Sequence, residues 1–153
     1  MDDIKKITEI EGVMLTPLKI ITGDLGSVRH AMKQSDPGFA GFGEAYFSTV
    51  NPGVVKGWKR HSKMVLNLVV VQGSISFMAF DDRPESSTRG ICGIAKLSPE
   101  NYYRLTVPAG VWLAFKGESG GINMLLNLAS IMHVPDEAEN RDLRHPSMPS
   151  LLI

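Results

Sequence analysis

Cysteine is almost absent from this sequence: Cys92 is the only one in 153 residues. A single cysteine cannot form a disulfide within the chain, and it cannot supply a cysteine-rich metal site. Cys92 lies in an apolar, strand-like run at residues 91–97. That setting predicts a buried small hydrophobe rather than a reactive thiol.

The sequence also lacks net charge and long hydrophobic runs. Lys+Arg and Asp+Glu each number 16, which gives no global reason to expect nucleic acid or an anionic membrane as a partner. The longest apolar run, residues 64–71, is too short to cross a membrane. Residues 1–6 are acidic and then basic, with no apolar segment behind them, unlike a secretory signal. These absences predict a cytoplasmic protein.

Turn-forming residues are frequent, because 15 glycines and 9 prolines separate short apolar runs. The pattern predicts about nine or ten short antiparallel strands with little helix, as in a sandwich or jelly roll. Residues 13–21, interrupted by Pro17, fit an edge strand. Residues 136–144 are charged and suggest a short helical turn before a tail. The length fits one domain, 1–153, with 1–12 and 140–153 as peripheral termini.

The stretch 55–73 joins a cationic cluster to the longest apolar run. The cluster contains five side chains: Lys56, Lys59, Arg60, His61 and Lys63. The valine-rich run 64–71 predicts a buried strand, and Gln72-Gly73 predicts a turn into a second strand of the same hairpin, 74–80. Alternate residues of an extended segment share a face, so Lys59, His61 and Lys63 point together. They either line a site or form a solvated basic edge before a core strand.

Six short motifs follow one another between residues 55 and 139. They are Val55-Lys56-Gly57-Trp58-Lys59, Val69-Val70-Val71-Gln72-Gly73, Asp82-Arg83-Pro84-Glu85-Ser86-Ser87-Thr88, Leu97-Ser98-Pro99-Glu100-Asn101, Val107-Pro108-Ala109-Gly110 and Pro135-Asp136-Glu137-Ala138-Glu139. This ordered set resembles the cupin superfamily, and more closely the dTDP-4-dehydrorhamnose 3,5-epimerase family. A second resemblance is to sugar-nucleotide 3,4-ketoisomerases, which carry Gly-x-His-x-His-Lys where this chain has residues 57–62.

The resemblance implies an all-β, cupin-type jelly-roll barrel and usually a homodimer. It also implies an isomerase of cell-surface polysaccharide biosynthesis, which works without a cofactor on a nucleotide-linked 4-keto-6-deoxy sugar. Such an enzyme abstracts a proton next to the ketone as an epimerase or a ketoisomerase. The ligand expected is thus a small-molecule sugar nucleotide, with no nucleic acid and no membrane as partner.

Several positions differ from the family pattern. The family's general-base histidine corresponds to Lys59, its catalytic lysine to Leu66, and its acid tyrosine falls in 131–134, which contains His133. Metal-binding cupins use several histidines, of which this chain keeps His61, so no metal is expected. These replacements leave a second function open: a non-catalytic cupin that binds a sugar or sugar nucleotide.

Three residues are candidate catalytic groups. His61 is the candidate base, because an imidazole with an ordinary pKa of about 6.5 suits proton transfer near neutral pH. Lys59 is a candidate electrostatic stabiliser of the enolate or a second proton carrier. His133 is a candidate acid.

The candidate substrate-binding residues are Lys56, Lys63, Asn67, Trp112 and Tyr46. Lys56 matches a family arginine near the substrate phosphates, where a lysine can still act as a point charge. Asn67 interrupts an apolar strand, so it either lines the pocket or satisfies neighbouring polar groups. Trp112 and Tyr46 either stack on the ligand or pack in the core.

Overall fold

A computed structural model describes residues 4–153. Within this range one 3-10 helix, Ile7–Glu9, lies between the first two strands. The strands are β1 (Lys5–Lys6), β2 (Met14–Pro17), β3 (Ile20–Gly23), β4 (Gly26–Arg29), β5 (Glu44–Thr49), β6 (Val55–His61), β7 (Leu66–Gln72), β8 (Ile75–Asp81), β9 (Cys92–Leu97), β10 (Tyr103–Val107), β11 (Val111–Gly117), β12 (Met124–Ala129) and β13 (Ala138–Asn140). Over the same residues, no helix has the length and apolar character needed to span a membrane.

The structure consists of two large sheets and a small two-stranded hairpin. The six-stranded sheet has the order β1-β9-β8-β11-β6-β13, and the five-stranded sheet has the order β2-β10-β7-β12-β5. Strands β3 and β4 form the hairpin. All pairs are antiparallel except β1 with β9. This architecture confirms the expected all-β jelly roll, and β2 is an edge strand as its proline indicated.

The predicted hairpin over residues 64–80 is wrong. Strand β7 lies in the five-stranded sheet and β8 in the six-stranded sheet, so the chain crosses from one sheet to the other between them. Gly73 makes this crossing with φ of +74°, and a Cβ there would lie 2.3 Å from the carbonyl oxygen of Ile122. Local turn signals predict where the chain reverses but not which strand becomes the partner.

The main core fills the space between the two sheets. Alternate residues of the central strands point inward, as a period of two requires. The five-stranded sheet contributes residues such as Leu68, Leu105 and Leu125, and the six-stranded sheet contributes Phe77 and Leu113. All five are nearly or fully buried. Three of its side chains, Leu68, Leu113 and Leu125, also line the cavity between the sheets.

A second apolar cluster covers the opposite face of the six-stranded sheet. Trp58, Met78, Trp112 and Ala114 alternate with the inward-facing residues of β6, β8 and β11, and Met148 packs on them. Leu143, Leu151 and Ile153 add to this cluster, so the C-terminal tail packs on its own sheet.

The two segments expected to be peripheral both contribute buried side chains. Ile7 and Ile10 belong to the main core, whereas residues 1–3 of that first segment lie outside the described residues. In place of the helical turn suggested at 136–144, the chain forms β13, which pairs with β6. The pairing sets Ala138 opposite His61, and this brings the preceding residue, Glu137, to the site.

Candidate active site

A cavity of about 420 Å³ opens between the two sheets, a size that suits a small organic ligand. The six-stranded sheet contributes Lys56, Lys59 and His61 from β6, Leu113 and Phe115 from β11, and Asn140 from β13. The five-stranded sheet contributes Glu44, Tyr46 and Ser48 from β5, Leu66 and Leu68 from β7, and Leu125 and Asn127 from β12. Three of these leucines, Leu68, Leu113 and Leu125, are also core residues, so the core forms an apolar floor.

His61 is held in place by a carboxylate. Its Nδ1 lies 2.6 Å from Oε1 of Glu137, and the two side chains are 14% and 5% exposed. The other carboxylate oxygen accepts the backbone N–H groups of Lys63 at 2.8 Å and Met64 at 3.0 Å. A carboxylate can only accept a hydrogen bond, so Nδ1 of the imidazole carries the proton of this bond. In the neutral ring Nε2 then has a free lone pair and can take up a proton.

The same contacts keep Glu137 ionised. Burial by itself would raise the pKa of this carboxyl group, but the hydrogen bonds from His61, Met64 and Lys63 outweigh it and lower the pKa from 4.5 to about 2. Glu137 is therefore negatively charged throughout the neutral range. It orients the imidazole and stabilises the imidazolium that would form after proton abstraction.

Both Lys56 and Lys59 face the cavity, although they are three residues apart. Regular alternation would place them on opposite faces. The register of β6 against β11 shifts, however, between the pairs Leu113–Lys59 and Phe115–Lys56. Lys56 Nζ also donates to the carbonyl oxygen of Thr49 at 2.5 Å. The irregularity gathers two ammonium groups on one wall, which favours an anionic ligand.

Three of the predicted binding residues, Lys63, Asn67 and Trp112, lie outside the cavity wall. Lys63 follows the end of β6, and it reaches the site only through its backbone N–H. Asn67 points to the other face of its sheet, where it donates to the Gly38 carbonyl at 3.0 Å and accepts from Thr106 Oγ1 at 2.6 Å. The sequence predicts that Asn67 either lines the pocket or satisfies neighbouring polar groups. The structure supports the second role, because the Asn67 side chain forms hydrogen bonds with neighbouring polar groups.

Trp112 is fully buried in the second cluster, on the face of its sheet away from the cavity. Its Nε1 donates to Asp82 Oδ2 at 3.1 Å, and the guanidinium groups of Arg60 and Arg141 each lie 4.6 Å from its ring. Its neighbour Leu113 faces the cavity instead. The structure therefore makes Trp112 a packing residue and not a stacking partner for the ligand.

The other predicted residues, His133 and Tyr46, do line the cavity. Sequence reasoning missed Glu137 and Asn127 as site residues. Glu137 stands inside one of the six motifs, and Asn127 interrupts an apolar strand, so both carried a signal. Among residues 4–153, no cluster of three or more His, Cys, Asp or Glu side chains could hold a metal ion.

Known proteins resemble this chain over most of its length. A dTDP-sugar isomerase from Desulfovibrio desulfuricans G20, known from its crystal structure, superposes with a TM-score of 0.85 and 36% identity, covering 90% of this chain and 88% of that one. The probable low-salt glycan biosynthesis epimerase Agl13 of Haloferax volcanii is 29% identical over 97 residues, which are 61% of this chain and 62% of that protein.

A third relative shares the fold at lower identity. NovW, a 4-keto-6-deoxy sugar epimerase from the novobiocin biosynthetic gene cluster of Streptomyces spheroides, has a TM-score of 0.83 and 19% identity, covering 99% of this chain and 77% of that one. No protein-family profile matches the chain. The identity of 36% to the Desulfovibrio isomerase, over nearly the whole of both chains, nevertheless decides the relationship. The chain belongs to the family of the dTDP-sugar isomerase from Desulfovibrio desulfuricans G20, and it shares its fold with dTDP-4-dehydrorhamnose 3,5-epimerases.

Proposed function

We propose that this protein is a cofactor-independent sugar-nucleotide isomerase. It acts on a nucleotide-linked 4-keto-6-deoxy sugar and abstracts the proton next to the ketone, as an epimerase or a ketoisomerase. The observation that carries the proposal is the pair formed by His61 and Glu137 at the cavity wall, joined at 2.6 Å. It supplies an imidazole whose second nitrogen is free to act as a base.

The charges and the apolar floor of the cavity support this substrate class. Removing a proton beside a ketone leaves negative charge on the ketone oxygen, which the ammonium group of Lys59 can stabilise. Lys56 supplies a second positive charge for the phosphates. The floor of Leu68, Leu113 and Leu125 accommodates the methyl group of a 6-deoxy sugar better than a hydroxymethyl group.

A non-catalytic, sugar-nucleotide-binding role is the second candidate. Leu66 lines the cavity where the family resemblance expects a catalytic lysine, and it can neither transfer a proton nor carry charge. A protein with this cavity could bind the ligand through Lys56 and Lys59 without turning it over.

Deuterium exchange separates the two candidates. The protein is incubated in heavy water with a dTDP-linked 4-keto-6-deoxyhexose, and deuterium at C3 and C5 is followed by NMR. We expect exchange with the natural protein and a fall of about 100-fold or more in His61→Asn. His145→Asn is the matched control, because His145 lies in the exposed tail, bonded to Ser147. Undiminished exchange in His61→Asn would contradict the proposal, and binding without exchange in the natural protein would favour the binder.

A cytoplasmic location and a homodimer are further parts of the proposal. The hairpin of β3 and β4 supports the dimer, because its apolar residues Ile21, Leu25 and Val28 are 46%, 104% and 59% exposed. Side chains of this kind are commonly covered by a partner. Light scattering tests the assembly: a mass of one chain at micromolar concentration contradicts it.

A further inference from the structure

Tyr46 and Asn127 form a polar pair on the wall of the five-stranded sheet. They are direct cross-strand neighbours on β5 and β12. The amide nitrogen of Asn127 donates to the Tyr46 hydroxyl at 2.8 Å. Asn127 is 4% exposed, whereas Tyr46 is 45% exposed and lines the cavity. A phenol both donates and accepts, so with the amide in this orientation the bond from Asn127 occupies an acceptor site and leaves the O–H proton free to donate.

Packing does not account for this pair. The same wall carries the apolar side chains of Leu66, Leu68 and Leu125 beside the polar ones of Glu44 and Ser48. The amide oxygen of Asn127 is also buried and has no hydrogen-bond partner in the part of the chain that the structure describes. A buried polar atom without a partner is unfavourable for folding, and such exceptions commonly mark functional groups.

The pair stands across the cavity from the candidate base. His61 belongs to the six-stranded sheet and Tyr46 to the five-stranded sheet, and both line the same cavity. A flat ligand held between the two sheets would present one face to the imidazole and the other to the phenol. The site thus has a proton acceptor on one wall and a hydroxyl donor on the other.

We propose that Tyr46 is the second proton-transfer residue of this site, with Asn127 as its positioning residue. This inference rests on the proposed function. Nε2 of His61 takes the proton from the carbon next to the ketone, and the C–H electron pair moves into the enolate. The phenol of Tyr46 then gives its proton to the same carbon from the opposite face, which leaves a phenolate and an imidazolium. Proton exchange with water restores both groups.

The stereochemical consequence separates an epimerase from a ketoisomerase. Removing a proton from one face of a carbon and returning one to the other face inverts that carbon. A shift of the carbonyl group in which one base carries the proton to the neighbouring carbon on the same face would need no donor on the far wall. The position of Tyr46 therefore favours epimerisation over such a shift, and it assigns to Tyr46 the acid role for which His133 is the other candidate.

The test compares Tyr46→Phe with the natural protein on a dTDP-linked 4-keto-6-deoxyhexose in heavy water. Two rates are measured by NMR: deuterium uptake next to the ketone and formation of the epimer. Without the phenol, His61 can still remove a proton and return deuterium to the same face. We expect uptake within about threefold of the natural rate and a fall of about 100-fold in the ratio of epimer formed to deuterium taken up.

Asn127→Ala tests the positioning role with the same two rates. We expect this variant to keep its deuterium uptake and to lower the epimer-to-uptake ratio by about tenfold. A merely structural role would lower both rates together. Tyr103→Phe is the matched control, because Tyr103 packs against the core and does not line the cavity. It should leave the ratio unchanged.

Three outcomes overturn the inference. They are an unchanged ratio in Tyr46→Phe, an equal loss of uptake and epimer in that variant, and a ratio that responds to His133→Asn but not to Tyr46→Phe. A natural protein that shows no uptake is a different result, because it contradicts the proposed function itself.

Discussion

At the scale of single residues, the candidate site depends on charges that support one another. Glu137 would be an expensive group to bury alone, but it accepts three hydrogen bonds and in return orients His61. The ring of His61 would be free to rotate without that carboxylate. The base and its orienting acid therefore act as one unit, although only the histidine can reach a ligand carbon.

Replacing Glu137 by Gln keeps the shape of the side chain and removes the charge that orients the ring of His61. The amide has the same size, but it loses the charge and presents an N–H₂ group to donors. We expect turnover on a 4-keto sugar nucleotide to fall by about 100-fold or more and the free energy of unfolding to fall by about 1–3 kcal/mol. Steady-state kinetics and urea unfolding measure the two effects.

Glu139→Gln is the control for that variant. Glu139 lies two residues further along the chain, is 47% exposed, and pairs with Arg60 and Arg141 outside the cavity. Exposed ion pairs contribute about 0–1 kcal/mol, so turnover should change by less than about threefold. Equal losses in the two variants would show that Glu137 has no special role.

At the scale of elements, the irregular pairing of β6 with β11 builds the cationic wall. Gly57 lies at this irregularity and adopts φ of +137°. A Cβ at this position would lie 2.7 Å from the Cβ of Ala114 and 2.9 Å from the carbonyl oxygen of Leu113. The close approach of the two backbones is what allows Lys56 and Lys59 to point the same way.

Gly57→Ala should therefore disturb both stability and the site. We expect a loss of about 1–3 kcal/mol in the free energy of unfolding, since a strained φ and a steric overlap add. The displaced lysines should also lower kcat through Lys59 and raise KM through Lys56. Gly53→Ala is the matched control, because Gly53 also has a positive φ, +74°, but no atom lies within 4 Å of its added Cβ. A Gly53→Ala loss as large as that of Gly57→Ala would exclude the steric argument.

At the scale of the whole molecule, two buried carboxylates hold segments in place, one between distant parts of the chain and one within a single loop. Glu137 ties the segment before β13 to the end of β6. Asp81 is fully buried at the end of β8 and accepts hydrogen bonds from Arg83, Ser86 and Thr88. Burial alone would raise the pKa of Asp81, but these hydrogen bonds outweigh it and hold the pKa well below its ordinary value of 3.8.

The lowered pKa values of Glu137 and Asp81 predict that the folded protein loses stability in acid. A carboxyl group whose pKa is lower in the folded than in the unfolded state stabilises the fold fully above its ordinary pKa. That stabilisation is lost as pH falls from about 4.5 towards 2, because protonation then favours the unfolded chain. Urea midpoints should therefore be constant from pH 7 to 5 and fall from pH 4.5 downwards.

A double variant checks the origin of that acid loss. With Asp81→Asn and Glu137→Gln combined, the protein should be less stable at pH 7, but its urea midpoint should depend much less on pH below 4.5. A double variant as acid-sensitive as the natural protein would place the responsible groups elsewhere.

Sequence alone determined the fold class and the segment that carries the chemistry. The alternation of apolar residues, the turn signals and the ordered motifs predicted a cupin-type jelly roll, and five of the predicted site residues line its cavity: Lys56, Lys59, His61, His133 and Tyr46. These are local properties, because neighbouring residues determine both the alternation of apolar side chains along a strand and the position of a turn.

Tertiary structure alone decided how distant residues meet. The partners in the His61–Glu137 contact are 76 residues apart, and those in the Tyr46–Asn127 contact are 81 apart. The sheet to which β8 belongs, the irregularity that turns Lys56 inward and the burial of Trp112 on the outer face likewise follow from strand pairing. Alternation shows which residues share a face of a strand. Only the assembly of the two sheets determines which face encloses the cavity.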